Sequence, residues 1–150
     1  ADAYPMAQTQ VGMVAEMLAD RELHRYHGVA SFRIRDEQPF HADALTTAVR
    51  DAVERHEVLR TSFDLGTFSV PMQLVHTEAA VPVEVGDLRG LPPERLREAL
   101  REFQARERAD VLDVSSAPML RIRAHLADDG WWLTMVRCHA ITEAGATTTC

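Results

Sequence analysis

The sequence contains no lysine and no asparagine; all 16 of its basic residues are arginine. Without a lysine amine the segment offers no Schiff base, no pyridoxal-phosphate anchor and no Walker-type phosphate lysine. Cysteine is nearly as scarce. Cys138 and Cys150 form no CxxC pair and have no metal-ligand spacing, so neither a disulfide framework nor a zinc site is indicated. No apolar run approaches the roughly 20 residues that cross a bilayer. The opening ADAYPMAQTQ lacks the basic-then-apolar order of a signal peptide. A cytoplasmic location is therefore the expectation, with no membrane partner. The net charge of −7 comes without a basic cluster, which argues against a nucleic-acid surface.

What is present suits one globular domain. The 150 residues are enough for a core, and 46% hydrophobic with 26% charged residues is ordinary for a soluble fold. No linker, repeat or low-complexity stretch divides the chain. Residues 5–19 predict a short helix, with Pro5 in its first turn and an apolar face of Met6, Val11, Met13, Val14, Met17 and Leu18. That Met-rich face reads as core. Residues 28–35 predict a strand, and Asp43 an N-cap. Residues 44–59 carry the clearest helical period, in which Leu45, Ala48, Val49, Ala52, Val53 and His56 share a face. His56 there reads as a buried, locally satisfied histidine. Residues 60–64, 70–76 and 81–85 look extended, with a turn at Gly66 and an edge or bulge at Pro71. Pro92 and Pro93 open a helix over 94–108, whose stripe is Leu96, Leu100 and Phe103 and whose Glu/Arg alternation reads as a solvated face.

The last third carries the chemistry. Residues 118–126 alternate Leu120, Ile122, Ala124 and Leu126 against Arg121, Arg123 and His125, the period of a strand. Asp129-Gly130 signals a hairpin. Residues 131–139 return with two largely apolar faces, one of Trp132, Thr134, Val136 and Cys138, the other of Trp131, Leu133, Met135, Arg137 and His139. Such a strand is expected to be central and covered on both sides. His139 sits at its end, where the sheet fixes the backbone and the side chain stays accessible, and Glu143 follows four residues later. By itself, a lone His followed by Glu is weak evidence and reads first as a hydrogen-bonded structural histidine.

Four segments in order resemble one family. Residues 55–63, RHEVLRTSF, resemble the RHExLRTxF motif of condensation domains of nonribosomal peptide synthetases. YPMAQTQVGM at 4–13 is similar to that family's opening motif. VSSAPMLRIR at 114–123 resembles the segment before its signature strand, and CHAITEA at 138–144 takes the place of the signature HHxxxDG. The resemblance implies the chloramphenicol-acetyltransferase-like fold, an α/β architecture of the two-layer α+β kind with a mixed sheet backed by helices. It places residues 1–150 as the N-terminal lobe, with the C-terminal lobe absent from this chain, and an isolated segment is expected to be inactive. It implies amide bond formation between a donor acyl or peptidyl thioester and an acceptor aminoacyl thioester, in natural product biosynthesis. The partners it implies are donor and acceptor peptidyl carrier domains, an adjacent adenylation domain and the second lobe. No cofactor is bound directly; the substrates ride on the phosphopantetheine of the carriers.

Residue by residue, the resemblance makes His139 the histidine implicated in condensation, taking a proton from the attacking amine or holding it by a hydrogen bond. Glu143 takes the place of the motif acid, expected to pair with an arginine, Arg60 first and Arg55 second. The departures are Cys138 for the first His, Glu143 for Asp and Ala144 for Gly. On a regular strand Cys138 points opposite His139, which makes it a buried thiol rather than a nucleophile partner. Three readings stay open: an amide-forming domain with an altered signature, a noncatalytic recruitment or gating platform, and an ester-forming acyltransferase of the same fold.

Overall fold

The structure, a computed structural model, describes residues 2–20, 22 and 26–141. In chain order the elements are β1 (Asp2–Pro5), α1 (Gln8–Ala19), β2 (His27–Ile34), α2 (Ala42–Arg55), β3 (Thr61–Asp64), β4 (Met72–Val75), β5 (Val83–Asp87), α3 (Pro93–Ala109), β6 (Leu120–Ala127) and β7 (Gly130–Cys138). They form a three-stranded sheet, β1-β4-β3, and a four-stranded sheet, β2-β7-β6-β5. The larger sheet is mixed: β7 is antiparallel to β2 and β6, while β5 joins the edge parallel to β6. A mixed sheet backed by helices is the expected α/β architecture.

Register fixes the two faces of the larger sheet, because directly paired residues share a side. Gly28 pairs with Arg137 and Leu120 with Arg137, so these lie on one face with Ala30, Phe32, Ile122, Leu133 and Met135. His27 pairs with Cys138, and Arg121, Arg123 and His125 with Val136, Thr134 and Trp132, which puts these on the other face. The period-two reading of residues 118–139 is thus seen in three dimensions. Strand β7 is central, as expected from its apolar faces, but its two sides are covered unequally. α3 closes one. α2 lies across the other over an apolar groove of about 320 Å³, lined by Leu45, Val49, Leu120, Leu133, Met135 and their neighbours.

The core gathers at the C-terminal end of β7. Met6, Val14, Met17, Phe63, Val114, Met119, Cys138, Ala140 and Ile141 pack together there. The Met-rich face of α1 is core as expected, except Leu18, which is exposed.

Several boundaries differ from the sequence reading. Pro5 ends β1 instead of opening the helix, because residues 2–5 pair with β4, and α1 begins at Gln8. Asp43 lies in the first turn of α2, whose N-cap is His41. α2 stops at Arg55, and His56 is its extended, exposed C-cap, not a buried histidine. A 3-10 turn over Glu57–Arg60 continues the apolar pattern with Val58 and Leu59. The hairpin turn falls at 128–129, one residue early, and Gly130 already belongs to β7 with φ +145°. The Glu/Arg helix is not wholly solvated: Glu107 turns into the sheet.

Candidate functional site

All four motif segments meet where β7 ends. Gln10, fully buried in α1, accepts the Ala7 main-chain N–H at 2.7 Å and donates from Nε2 to the Ala140 carbonyl at 3.3 Å. One side chain thereby caps the first turn of α1 and holds the residue after His139. The Phe63 N–H donates to the Val114 carbonyl at 2.7 Å, joining RHEVLRTSF to VSSAPMLRIR. The Cys138 N–H donates to the Met119 carbonyl at 3.3 Å, and the His139 N–H to the Tyr26 carbonyl at 2.7 Å. These bonds run between segments far apart in sequence, so the backbone around His139 is fixed from several sides.

His139 directly follows β7 and is half-buried. Its ring lies over Gly28 of β2, on the groove face of the sheet, and it is not part of the apolar core cluster. Arg137, exposed, and Ile141 lie to either side of it in sequence and line the groove. Cys138 points the other way. It is fully buried, its Sγ lies 3.5 Å from Met17 Sδ, and burial pushes its thiol above the usual range. A thiol in that setting is neither a thiolate nor in reach of the His139 ring's face of the sheet. The sequence places Cys138 and His139 side by side; the strand separates them.

Arg60 is half-buried and bonded to main chain. Nε donates to the Val53 carbonyl at 3.0 Å, Nη2 to Glu54 at 3.5 Å, and Nη1 to His76 at 2.5 Å. It therefore caps the C-terminus of α2, where a cation suits the helix dipole, and ties it to the end of β4. Arg55 is exposed in the last turn of α2. Glu143 and Ala144, the remaining signature residues, lie outside the described residues, and so does the expected Arg60–Glu143 pair. The site residues that sequence reasoning missed are Gln10 and Gly28. Gln10 stood inside a quoted motif as the polar residue of an apolar helix face, which is a signal of a buried hydrogen-bonding role. Gly28 gave no signal before the register was known.

Among the described residues no three His, Cys, Asp or Glu side chains are grouped to hold a metal ion, and no helix is long and apolar enough to cross a membrane.

Comparison with known proteins agrees with this geometry. The family model described as Condensation domain matches residues 1–145. The AMB antimetabolite synthetase AmbE of Pseudomonas aeruginosa is 35% identical over 130 residues, which is 85% of this chain and 6% of that protein. The chain thus spans a small part of that relative's length. Among solved structures, the starter condensation domain of the rhizomide synthetase RzmA superposes with a TM-score of 0.78 at 15% identity, covering 93% of this chain and 34% of that one. SgcC5 from Streptomyces globisporus, solved with (R)-(-)-1-(2-naphthyl)-1,2-ethanediol and sucrose, superposes with a TM-score of 0.64 at 27% identity, over 76% of this chain and 25% of its own. With its motif segments joined around one histidine and the family model matched almost end to end, the chain belongs to the condensation domain family of nonribosomal peptide synthetases and has the chloramphenicol-acetyltransferase-like fold.

Proposed function

We propose that this chain is the N-terminal lobe of a condensation domain that forms an amide between two carrier-bound thioesters, with His139 as the catalytic residue. The observation that carries the reading is the placing of His139. It follows the central strand, its backbone is tied to Tyr26 and, through Ala140, to Gln10, and its ring stays outside the core. In the reaction the acceptor's amine nitrogen attacks the donor's thioester carbonyl. The C–N bond forms, the C–S bond breaks, the donor carrier's thiol is released, and the nitrogen loses one proton. His139 either accepts that proton or holds the amine in line by a hydrogen bond. Both roles need a fixed imidazole and neither needs a second histidine, so Cys138 in the core is compatible with activity.

The proposed partners are donor and acceptor carrier domains, with substrates on phosphopantetheine arms, an adjacent adenylation domain, and the C-terminal lobe that completes the tunnel; the proposed compartment is the cytoplasm. Glu143 is proposed to orient the loop after His139 through an arginine. Arg60 is already engaged with four carbonyls, so a pair with Glu143 would draw on a guanidinium held rigidly in place.

The test uses the full-length protein with its carriers loaded. Intact-protein mass spectrometry follows acyl transfer to the acceptor carrier for wild type and His139→Ala. Transfer by wild type and its loss in the variant are expected. No transfer by wild type, with both carriers bound, overturns the amide reading in favour of a noncatalytic platform, with the altered signature as its cause. A second reading, ester formation, is favoured by the diol held in the SgcC5 structure. Transfer to a hydroxyl acceptor and none to an amine would establish it.

A further inference from the structure

We propose that Gly28 is the positioning residue for His139: its missing side chain sets where the imidazole rests. The inference rests on the catalytic reading of His139 given above. Gly28 is the second residue of β2, in regular register opposite Arg137. A glycine inside a strand weakens it, so its presence needs a reason. Backbone conformation is not the reason, because among the described residues the positive-φ glycines are Gly90 and Gly130, and Gly28 is in neither a turn nor a left-handed region. The reason is above it. A Cβ on Gly28 would lie 2.9 Å from His139 Nε2 and 3.4 Å from Cδ2. The first distance is inside van der Waals contact, so ring and side chain cannot both occupy the niche.

What would yield is decided by the surroundings. The His139 backbone is bound to Tyr26, and Gly28 is held in the ladder to β7. The ring's far end is the movable part. A methyl group at position 28 therefore leaves the strands paired and turns the imidazole out of the niche. The strand neighbour Ala30, on the same face, is exposed, whereas His139 is the nearest group that a side chain at 28 meets. Displacing a catalytic nitrogen by about 1 Å costs on the order of 10²-fold in rate, while substrate binding through carriers and tunnel is untouched. The position is thus a volume gauge for the site: glycine admits the ring, and each added carbon pushes it further from the sheet.

The experiment compares wild type, Gly28→Ala, Gly28→Val and His139→Ala in the full-length protein with loaded carriers. Four quantities are read: kcat and KM for transfer, the unfolding midpoint in urea, and the rate at which diethyl pyrocarbonate carbethoxylates His139, followed by peptide mass spectrometry. The expected result for Gly28→Ala is a kcat lowered about 10- to 100-fold, an unchanged KM, an unchanged midpoint, and a His139 labelling rate shifted several-fold, with Gly28→Val displaced further in the same sense. Wild-type labelling in Gly28→Ala overturns the proposal. A shifted labelling rate with wild-type kcat, while His139→Ala is dead, also overturns it, because the niche then has no bearing on chemistry. A Gly28→Ala protein that fails to fold overturns it too, since the clash is then with the fold and not with the ring. If His139→Ala transfers at the wild-type rate, the catalytic reading fails instead, and the labelling shift alone still reports whether position 28 places the ring.

Discussion

Two histidines in this molecule lie over strand glycines, on opposite faces of the same sheet. His125 of β6 sits beside Gly86 of β5, where an added Cβ would come 2.9 Å from its Cδ2; His139 sits over Gly28 of β2 at the same distance from Nε2. The packing device is shared, and the cover is not. Over His125 the helix α3 brings Phe103, whose ring stands edge-on at 4.4 Å, and burial together with the Arg106 and Arg123 charges pushes the imidazole's pKa down. His139 lies on the side where α2 leaves an apolar groove. Both histidines are half-buried, and they differ in what packs on their face of the sheet. One face is closed by α3 over its histidine, and the other keeps an apolar groove under α2.

The closed face is where the largest loss of stability is expected. Glu107 lies between two guanidiniums, 2.8 Å from Arg121 and 3.6 Å from Arg123, with all three side chains no more than 14% exposed. The other acids near these arginines, Asp110 and Glu84, are at the rim, 77% and 70% exposed. Glu107→Ala leaves two shielded cations whose remaining carboxylates are at the rim, with the Asp110, Pro82 and Ile122 carbonyls as their other partners. Breaking a buried pair from one side costs about 3–5 kcal/mol. Urea unfolding of Glu107→Ala is expected to show a loss of that order, and a loss below about 1 kcal/mol, the range of surface pairs, would mean that water already screens this layer and that the two faces do not differ in the way argued.

A middle-sized effect is expected at the seam between the faces. Gln10→Ala leaves the Ala140 carbonyl and the Ala7 N–H without their partner, at a cost of about 1–3 kcal/mol for the buried groups. Because Ala140 follows His139, acyl transfer should fall further than the unfolded fraction alone explains. Equal losses of fold and transfer would make Gln10 a cap and nothing more. Cys138 sharpens the same comparison from the closed side. Its raised pKa and full burial predict that iodoacetamide at pH 8 modifies it only after unfolding, and that Cys138→Ala keeps transfer. Rapid alkylation of Cys138 in the native protein, assigned by peptide mass spectrometry, would mean that the end of β7 is open on both sides.

How far the sequence carries this comparison depends on the range of the interactions. The faces of β6 and β7 were legible because side-chain alternation is a local property, and Cys138 opposite His139 followed from it. His139 and the family followed from motif resemblance. The β6–β7 hairpin was legible from Asp129-Gly130, but the other neighbours in the sheet were not. Nothing local says that β2 pairs with β7 or that β5 joins parallel at the edge, and without that register Gly28 is an unremarked glycine. The end of α2 was misplaced because Val58 and Leu59 keep the helical apolar period while Arg60 caps the helix at Arg55 from outside it. Glu107 looked like one more exposed charge because α3 alternates Glu and Arg all round; only the arginines of β6, an element later in the chain, make it the inward one.

The smallest effect is in the pH dependence of stability, and it belongs to His125. His125 binds its proton less readily in the folded protein than at the ordinary value of 6.5. As pH falls through 6.5, the unfolded chain takes up that proton first, so folding loses free energy from there down to the folded-state pKa and is indifferent to this group above 6.5. The cause named first is burial, with Arg106 and Arg123 adding to it and Glu107 opposing. His125→Gln removes the titration and should flatten the stability–pH curve below pH 6.5 relative to wild type, without altering the pH dependence of acyl transfer near neutrality. His139→Gln should do the reverse, removing transfer and leaving the slope that His125 contributes. If His125→Gln changed the pH profile of transfer instead, charge on the closed face would be felt at the open one, and the sheet between them would be a conductor of that charge rather than a partition.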